Sequence, residues 1–422
     1  MTLLESPLFS RVAAPVRTAA PAPEPTRQGP VRRTVLIIAA ILGLGLTAWI
    51  GSRHGVRYAA LLDVGLLLGF ALFHSRFGFT SAWRQLISVG NSAGLRAHTV
   101  LLGTAASVVM LIAASGIGLF GSTPTAKATP IGLPLFIGAT LFAIGMQLGG
   151  ACASGTLFAV GGGQSPILFT LFGFIAGSVI YTAGYPALSG WPQIPGVLLA
   201  DHVGWGGSWV ITIAVLIMVA AIARRIQNRR NPPPTGVVPS SRGATRIVRG
   251  SWPLLVGAVV LGLLAGAVLL VSGSTWGVTF AFALWGAKFL QLIGLHPQTW
   301  AFWQQPTYAE ALASSAWTDK TTLTDVGIII GAALASAAAG AWRFRSALAW
   351  RTVLGSILGG ICMGIGARLA GGCNIGAYLS GISVGNVSGW IWAAFALFGT
   401  WVGLKLRPLF GLGNPAPTDS VC

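Results

Sequence analysis

Charge is scarce in this chain of 422 residues: 8% of positions are Asp, Glu, Lys or Arg, where a soluble domain carries about a quarter. Acids are scarcest, with 8 against 26 basic residues. Four cysteines are too few for a disulfide framework. The closest two, Cys362 and Cys373, stand eleven positions apart, so the Cys-x-x-Cys pair of a thiol-disulfide oxidoreductase is missing. Five His and five Met, none at ligand spacing from a Cys or an acid, argue against a metal centre, a soft-metal carrier or a metal cofactor.

What fills the chain is apolar. Hydrophobic residues make up 54% of it and the mean hydropathy is +0.76, which describes an all-α polytopic membrane protein. The formal charge of +18 suggests nucleic acid in a soluble protein. In a membrane protein it reads as basic residues gathered in cytoplasmic loops, with the lipid bilayer as partner and no nucleic acid.

Ten apolar runs approach the roughly 20 residues that cross a bilayer. They lie near 34–51, 58–73, 97–120, 131–148, 165–189 and 205–223, then near 253–272, 325–342, 350–369 and 388–409. Residues 1–33 read as a disordered tail, 34–223 as an N-terminal half, 224–250 as a linker, 251–410 as a C-terminal half and 411–422 as a second tail. The linker holds seven arginines, three consecutive prolines and no acid, so it belongs in the cytoplasm. Six crossings before it and four after it then put both termini inside. On that topology 20 of the 26 basic residues face the cytoplasm, as the positive-inside rule requires of a bacterial inner-membrane protein.

The halves repeat one another. Ser75-Arg-Phe-Gly78-Phe-Thr80 recurs as Ser274-Thr-Trp-Gly277-Val-Thr279, each after a span and before a stretch too polar to cross. Gly145-Met-Gln-Leu-Gly-Gly-Ala-Cys152-Ala-Ser-Gly155 aligns without a gap to Gly366-Ala-Arg-Leu-Ala-Gly-Gly-Cys373-Asn-Ile-Gly376, with five identities in eleven positions. Leu171-Phe172-Gly173 with Gly177 answers Leu397-Phe398-Gly399 with Gly403. Repeat 1 spans about 58–189, and one extra span separates the copies, so the second enters the membrane from the opposite side. Inverted repeats of this kind place a substrate site near the midplane, built from interrupted helices of both halves.

Each repeated cysteine stands in a glycine-dense turn, Gly149, Gly150 and Gly155 around Cys152 and Gly371, Gly372 and Gly376 around Cys373. There a helix breaks and restarts past Gly155 or Gly376. The restarting helix end offers N–H groups to an anion, and a thiol beside it adds a polarizable partner. The bland reading is that both cysteines are small core residues. Cys362, about three helical turns before Cys373, is either a further station or packing. Cys422, at the end of the sequence, is expected to do nothing. Lys288 either attracts anions at the outer mouth or snorkels to the interface. Asp63 is the intramembrane acid that stands out, unless it is solvated or paired with Arg57.

On these residues the chain resembles the YeeE/YedE family of bacterial sulfur-transport membrane proteins. The resemblance rests on the paired cysteine loops, on Ser75-Arg-Phe-Gly-Phe-Thr-Ser-Ala-Trp-Arg84 and on Thr275-Trp-Gly-Val-Thr-Phe-Ala-Phe-Ala-Leu-Trp-Gly-Ala-Lys288, and covers roughly 55–410. It implies a transporter rather than an enzyme, taking up thiosulfate that passes between facing loop cysteines by S–H hydrogen bonding without a covalent intermediate. Cys152 and Cys373 match those cysteines, while Gly78 stands where family members often carry a third, so Cys362 substitutes or two thiols suffice. A selenium species carried by the same family, a small-anion channel and a membrane thiol-disulfide oxidoreductase are the rival readings. Moving a dianion inward against the membrane potential costs about 4.6 kcal/mol per 100 mV. The TusA-like cytoplasmic sulfurtransferases that accompany the family would offset this by consuming the substrate.

Overall fold

The computed structural model describes residues 29–230, 232, 243–344 and 349–414. Most of the N-terminal tail, the proline-rich part of the linker and Cys422 lie outside these. The first half comprises α1 (Arg33–His54), α2 (Val56–Ser75), α3 (Phe79–Val89), α4 (Ala93–Ser115), α5 (Leu133–Leu148), α6 (Ala153–Gly161), α7 (Ser165–Leu188) and α8 (Ala200–Arg230). After a short α9 (Thr245–Arg249) come α10 (Leu254–Ser272), α11 (Thr279–Leu292), α12 (Pro306–Ala313), α13 (Lys320–Ala338), α14 (Trp350–Leu369), α15 (Ser380–Ser383) and α16 (Val387–Leu406). Among the described residues ten helical segments are long and apolar enough to cross a membrane, and Val56–Val89, Leu133–Gly161 and Trp350–Ser383 each join separate helices. The protein is an all-α polytopic membrane protein.

Local chemistry sets the boundaries. The second run of the second group shows the clearest shift: α13 starts at Lys320, five residues ahead of the run near 325–342, because the Asp319 carboxylate accepts from the Thr322 N–H at 2.7 Å and caps the helix. In the first group, α4 stops at Ser115, short of the run near 97–120, because Gly116 turns left-handed, φ 67°. Arg224–Arg230 continue α8 rather than opening a loop; the first helix-breaking residue after them is Pro232. The stretch after Gly78 is the mostly buried α3, and that after Gly277 is α11.

The helices pair reciprocally across the linker. α2 lies along α13 and α10 along α4, while α5 packs on α16 and α14 on α7. α5 and α14, the two helices that end in cysteine loops, also pack on each other. α1 stands at the edge with Ile37, Ile41 and Leu44 exposed, as a helix facing lipid requires. A two-stranded ribbon, Ile131–Gly132 (β1) against Gln193–Ile194 (β2), ties together the loops before α5 and after α7.

Candidate functional site: two thiols at helix breaks

The first break follows Leu148. Gly149 keeps a right-handed conformation and Gly150 turns left-handed, φ 85°. Cys152 is then extended (φ −81°, ψ −175°) at the N-cap of α6. Its sulfur faces the backbone N–H of Gly155 and lies 3.6 Å from Ser154 Oγ. The second break follows Leu369, with Gly371 at φ 70° and Gly372 at φ 152°. Gly372 has no room for a side chain, since a Cβ would come within 2.7 Å of the Ala377 nitrogen. Cys373 is again extended and caps a π-helical turn, Asn374–Leu379. The Ile375 N–H donates to its sulfur at 3.4 Å, and the Gly376 N–H faces it as well. The helices restart directly after the cysteines, not past Gly155 and Gly376 as the sequence suggested: both residues take the extended N-cap conformation, and at the second break the Cys373 sulfur accepts one of the first free N–H groups.

Cys152 and Cys373 are 2% and 1% exposed and belong to one buried cluster. The two thiols lie within electrostatic reach of each other. Thr80, second in α3, turns its side chain to Cys152. Behind it, buried Trp83 donates through Nε1 to His98 Nδ1 at 3.2 Å, and the His98 ring faces the Gly78 carbonyl. Those two contacts fix a neutral imidazole, with the proton on Nε2. Phe77 and Phe79 close on the same ring at centroid distances of 5.4 and 4.6 Å. The position without a family cysteine is thus packed by a neutral histidine in an aromatic wall.

A cavity of about 330 Å³ opens beside the second break, lined by Tyr181, Tyr185, Phe302, Tyr308 and Arg368 and floored by Ala370 and Gly371. Arg368 donates through Nη2 to Thr279 Oγ1 at 2.6 Å, and its Nε has no partner. A matching contact stands at the first break, where Gln147, aligned with Arg368, reaches the carbonyl of Thr80, aligned with Thr279, at 3.4 Å. Arg407 donates to the Gln147 carbonyl at 2.6 Å and is 8% exposed, although the sequence counts it, with Lys405, among the basic residues of the cytoplasmic side.

The remaining sequence candidates fall elsewhere. Cys362 is half-buried on α14 and outside the cluster that holds the two loop thiols. The Lys288 ammonium donates to the carbonyls of Leu312 and Ser314, at 3.0 and 2.7 Å, and so closes the end of α12. Thr47 donates to Asp63 at 2.7 Å, while Arg57 binds the carbonyls of Val271 and Ser272. Sequence reasoning passed over Arg368 as a site residue, and also Asp325, which is 0% exposed with both carboxyl oxygens unpartnered.

Residues 74–402 match the profile of a family described as sulphur transport. The chain belongs to that family. It is 27% identical over 348 residues to the thiosulfate transporter TsuA of Escherichia coli, covering 81% of this chain and 92% of that protein. With the thiosulfate transporter TsuA of Spirochaeta thermophila it shares 27% over 364 residues, 81% of this chain and 96% of that one. A shorter match of 161 residues at 30% identity links it to the probable transporter YedE of Escherichia coli, across 38% of this chain and 39% of that protein. Membership in this family of membrane proteins, with ten apolar helices, supports transport of a sulfur anion.

Proposed function

We propose that the chain carries thiosulfate into the cell and that the anion passes from the Arg368 cavity to Cys373 and on to Cys152. The observation that carries this reading is the enclosure of two thiols, each at the N-cap position of an interrupted helix, in one buried cluster beside that cavity. The names of the two TsuA relatives supply the substrate. Arg368 draws the dianion in through a charge-assisted contact. At the breaks, N–H groups and S–H donors are weak and numerous enough to bind without trapping, so the anion moves on with no sulfur–sulfur bond formed.

In this reading the halves are inverted repeats with both termini in the cytoplasm of a bacterial inner membrane. The reciprocal pairing of α2 with α13 and α10 with α4 supports the symmetry. A TusA-like sulfurtransferase would take the anion as it emerges and keep its free concentration low.

Growth on thiosulfate as sole sulfur source, in a bacterium stripped of its own sulfate and thiosulfate uptake, tests the assignment. Rescue is expected from the wild type and not from Cys152→Ala or Cys373→Ala inserted to the same level. Equal rescue by all three would remove the thiols from the path. Absence of rescue by a well-inserted wild type would remove thiosulfate as the substrate.

A further inference from the structure

Asp325 sits on the second turn of α13, fully buried, and neither carboxyl oxygen has a hydrogen-bond partner. Its neighbours give it no counter-charge. On its own helix, Lys320 binds the Ser274 hydroxyl, and Asp319, of like charge, caps the helix start. The facing α2 carries Arg57 and Asp63, engaged with Val271 and Ser272 and with Thr47, and His74, held at the Gly250 carbonyl. α6 has no titratable side chain, and α1 has only Arg33 at one end with Arg53 and His54 at the other. Lys288 of α11 is occupied by two carbonyls, and Arg246 and Arg249 of α9 bind the carbonyls of Ser251 and Ala338. Outside α13 the group is within electrostatic reach of Asp319 and of the Cys373 thiol, and α13 itself packs along α6, the helix that restarts after Cys152.

A carboxylate enclosed without a partner has nothing to offset its desolvation, so enclosure favours the neutral acid and the charged form belongs to states in which the site opens to water. An orphan acid beside the substrate station is a costly feature for mere packing, where an apolar residue of similar volume serves better. We propose that Asp325 is the proton-binding group of the transporter and that one proton travels inward with each dianion. This rests on the thiosulfate reading above. An anion at Cys373 favours the protonated acid nearby, because two like charges repel strongly in a low dielectric. By linkage a proton on Asp325 favours the anion equally. The proton comes from the water on the side the anion leaves and is released with it on the other, lowering the net inward charge from two to one. No bond to the substrate forms and nothing is oxidised.

The test uses the purified full chain in proteoliposomes, with valinomycin and equal potassium on both sides to hold the potential at zero. With the interior one pH unit more alkaline, one proton per dianion accumulates radiolabelled thiosulfate about tenfold over the outside, and a trapped dye reports interior acidification during uptake. Asp325→Asn, which keeps the shape of the protonated acid and cannot release a proton, should equalise thiosulfate without accumulating it; thermal melting in detergent checks its fold. Wild-type transport that ignores the pH gradient overturns this proposal and leaves the thiosulfate reading standing. Accumulation by Asp325→Asn at the wild-type ratio overturns it too, and vesicles that take up no thiosulfate overturn both readings.

Discussion

Gly145 of α5 and Gly359 of α14 meet backbone to backbone: a Cβ on Gly145 would lie 2.5 Å from the Gly359 carbonyl oxygen. The aligned glycines answer in reverse, with a Cβ on Gly366 placed 2.6 Å from the carbonyl oxygen of Gly138. Both helices break soon after this crossing, at Leu148 and Leu369, so the crossing fixes how far apart the two cysteine loops stand. Small residues allow such close approach between membrane helices.

Gly145→Ala should therefore push the loops apart. Overpacking of this kind costs about 1–3 kcal/mol, read as a lower melting temperature in detergent together with loss of thiosulfate uptake. Gly184→Ala in α7 is the control. A Cβ there meets nothing within 4 Å, and Ala is the better helix former, so melting should hold or rise slightly. Unchanged melting and uptake in Gly145→Ala would show that the crossing does not position the loops.

Cys362 tests how many thiols the path needs. Around it on α14, Gly359 and Met363 face α5 and Gly360 and Gly364 face α7, which leaves its own side chain on a third, half-buried face. Cys362→Ala should keep uptake within about twofold of wild type, as substitutions away from packed features do. Uptake as low as that of Cys373→Ala would instead make it a third station.

Much of this was legible in the sequence because the chain states it twice. A Gly-x-Cys turn inside an apolar run, Gly150-Ala-Cys152 or Gly371-Gly-Cys373, reads as a break, and two aligned copies mark the pair. Asp325 was hidden for a definite reason: it stands at the first position of a hydropathic run, where an acid looks interfacial, and only the Asp319 cap shows that α13 has already begun five residues earlier. Arg407 was hidden in the same way, since a basic residue near the cytoplasmic end of a span matches the positive-inside pattern whether it meets water or, as here, the carbonyl of Gln147. The cavity beside the second break depends on Tyr181, Phe302 and Tyr308, which no local pattern brings together.

Arg368 can be removed without leaving a hole the fold does not know how to fill. At the equivalent place in the first half stands Gln147, which makes the corresponding contact to Thr80. Arg368→Gln should thus insert and fold, keep the link to Thr279 and lose the positive charge over the cavity. A charge-assisted hydrogen bond contributes about 1.5–3 kcal/mol, so the KM for thiosulfate should rise roughly ten- to a hundredfold with a smaller change in maximal rate. Arg368→Lys should fall between, since an ammonium keeps the charge but not the planar fork that reaches Thr279 and the anion together. Uptake measured over a range of thiosulfate concentrations separates the two effects. An unchanged KM in Arg368→Gln would mean that the anion enters by another route than this cavity.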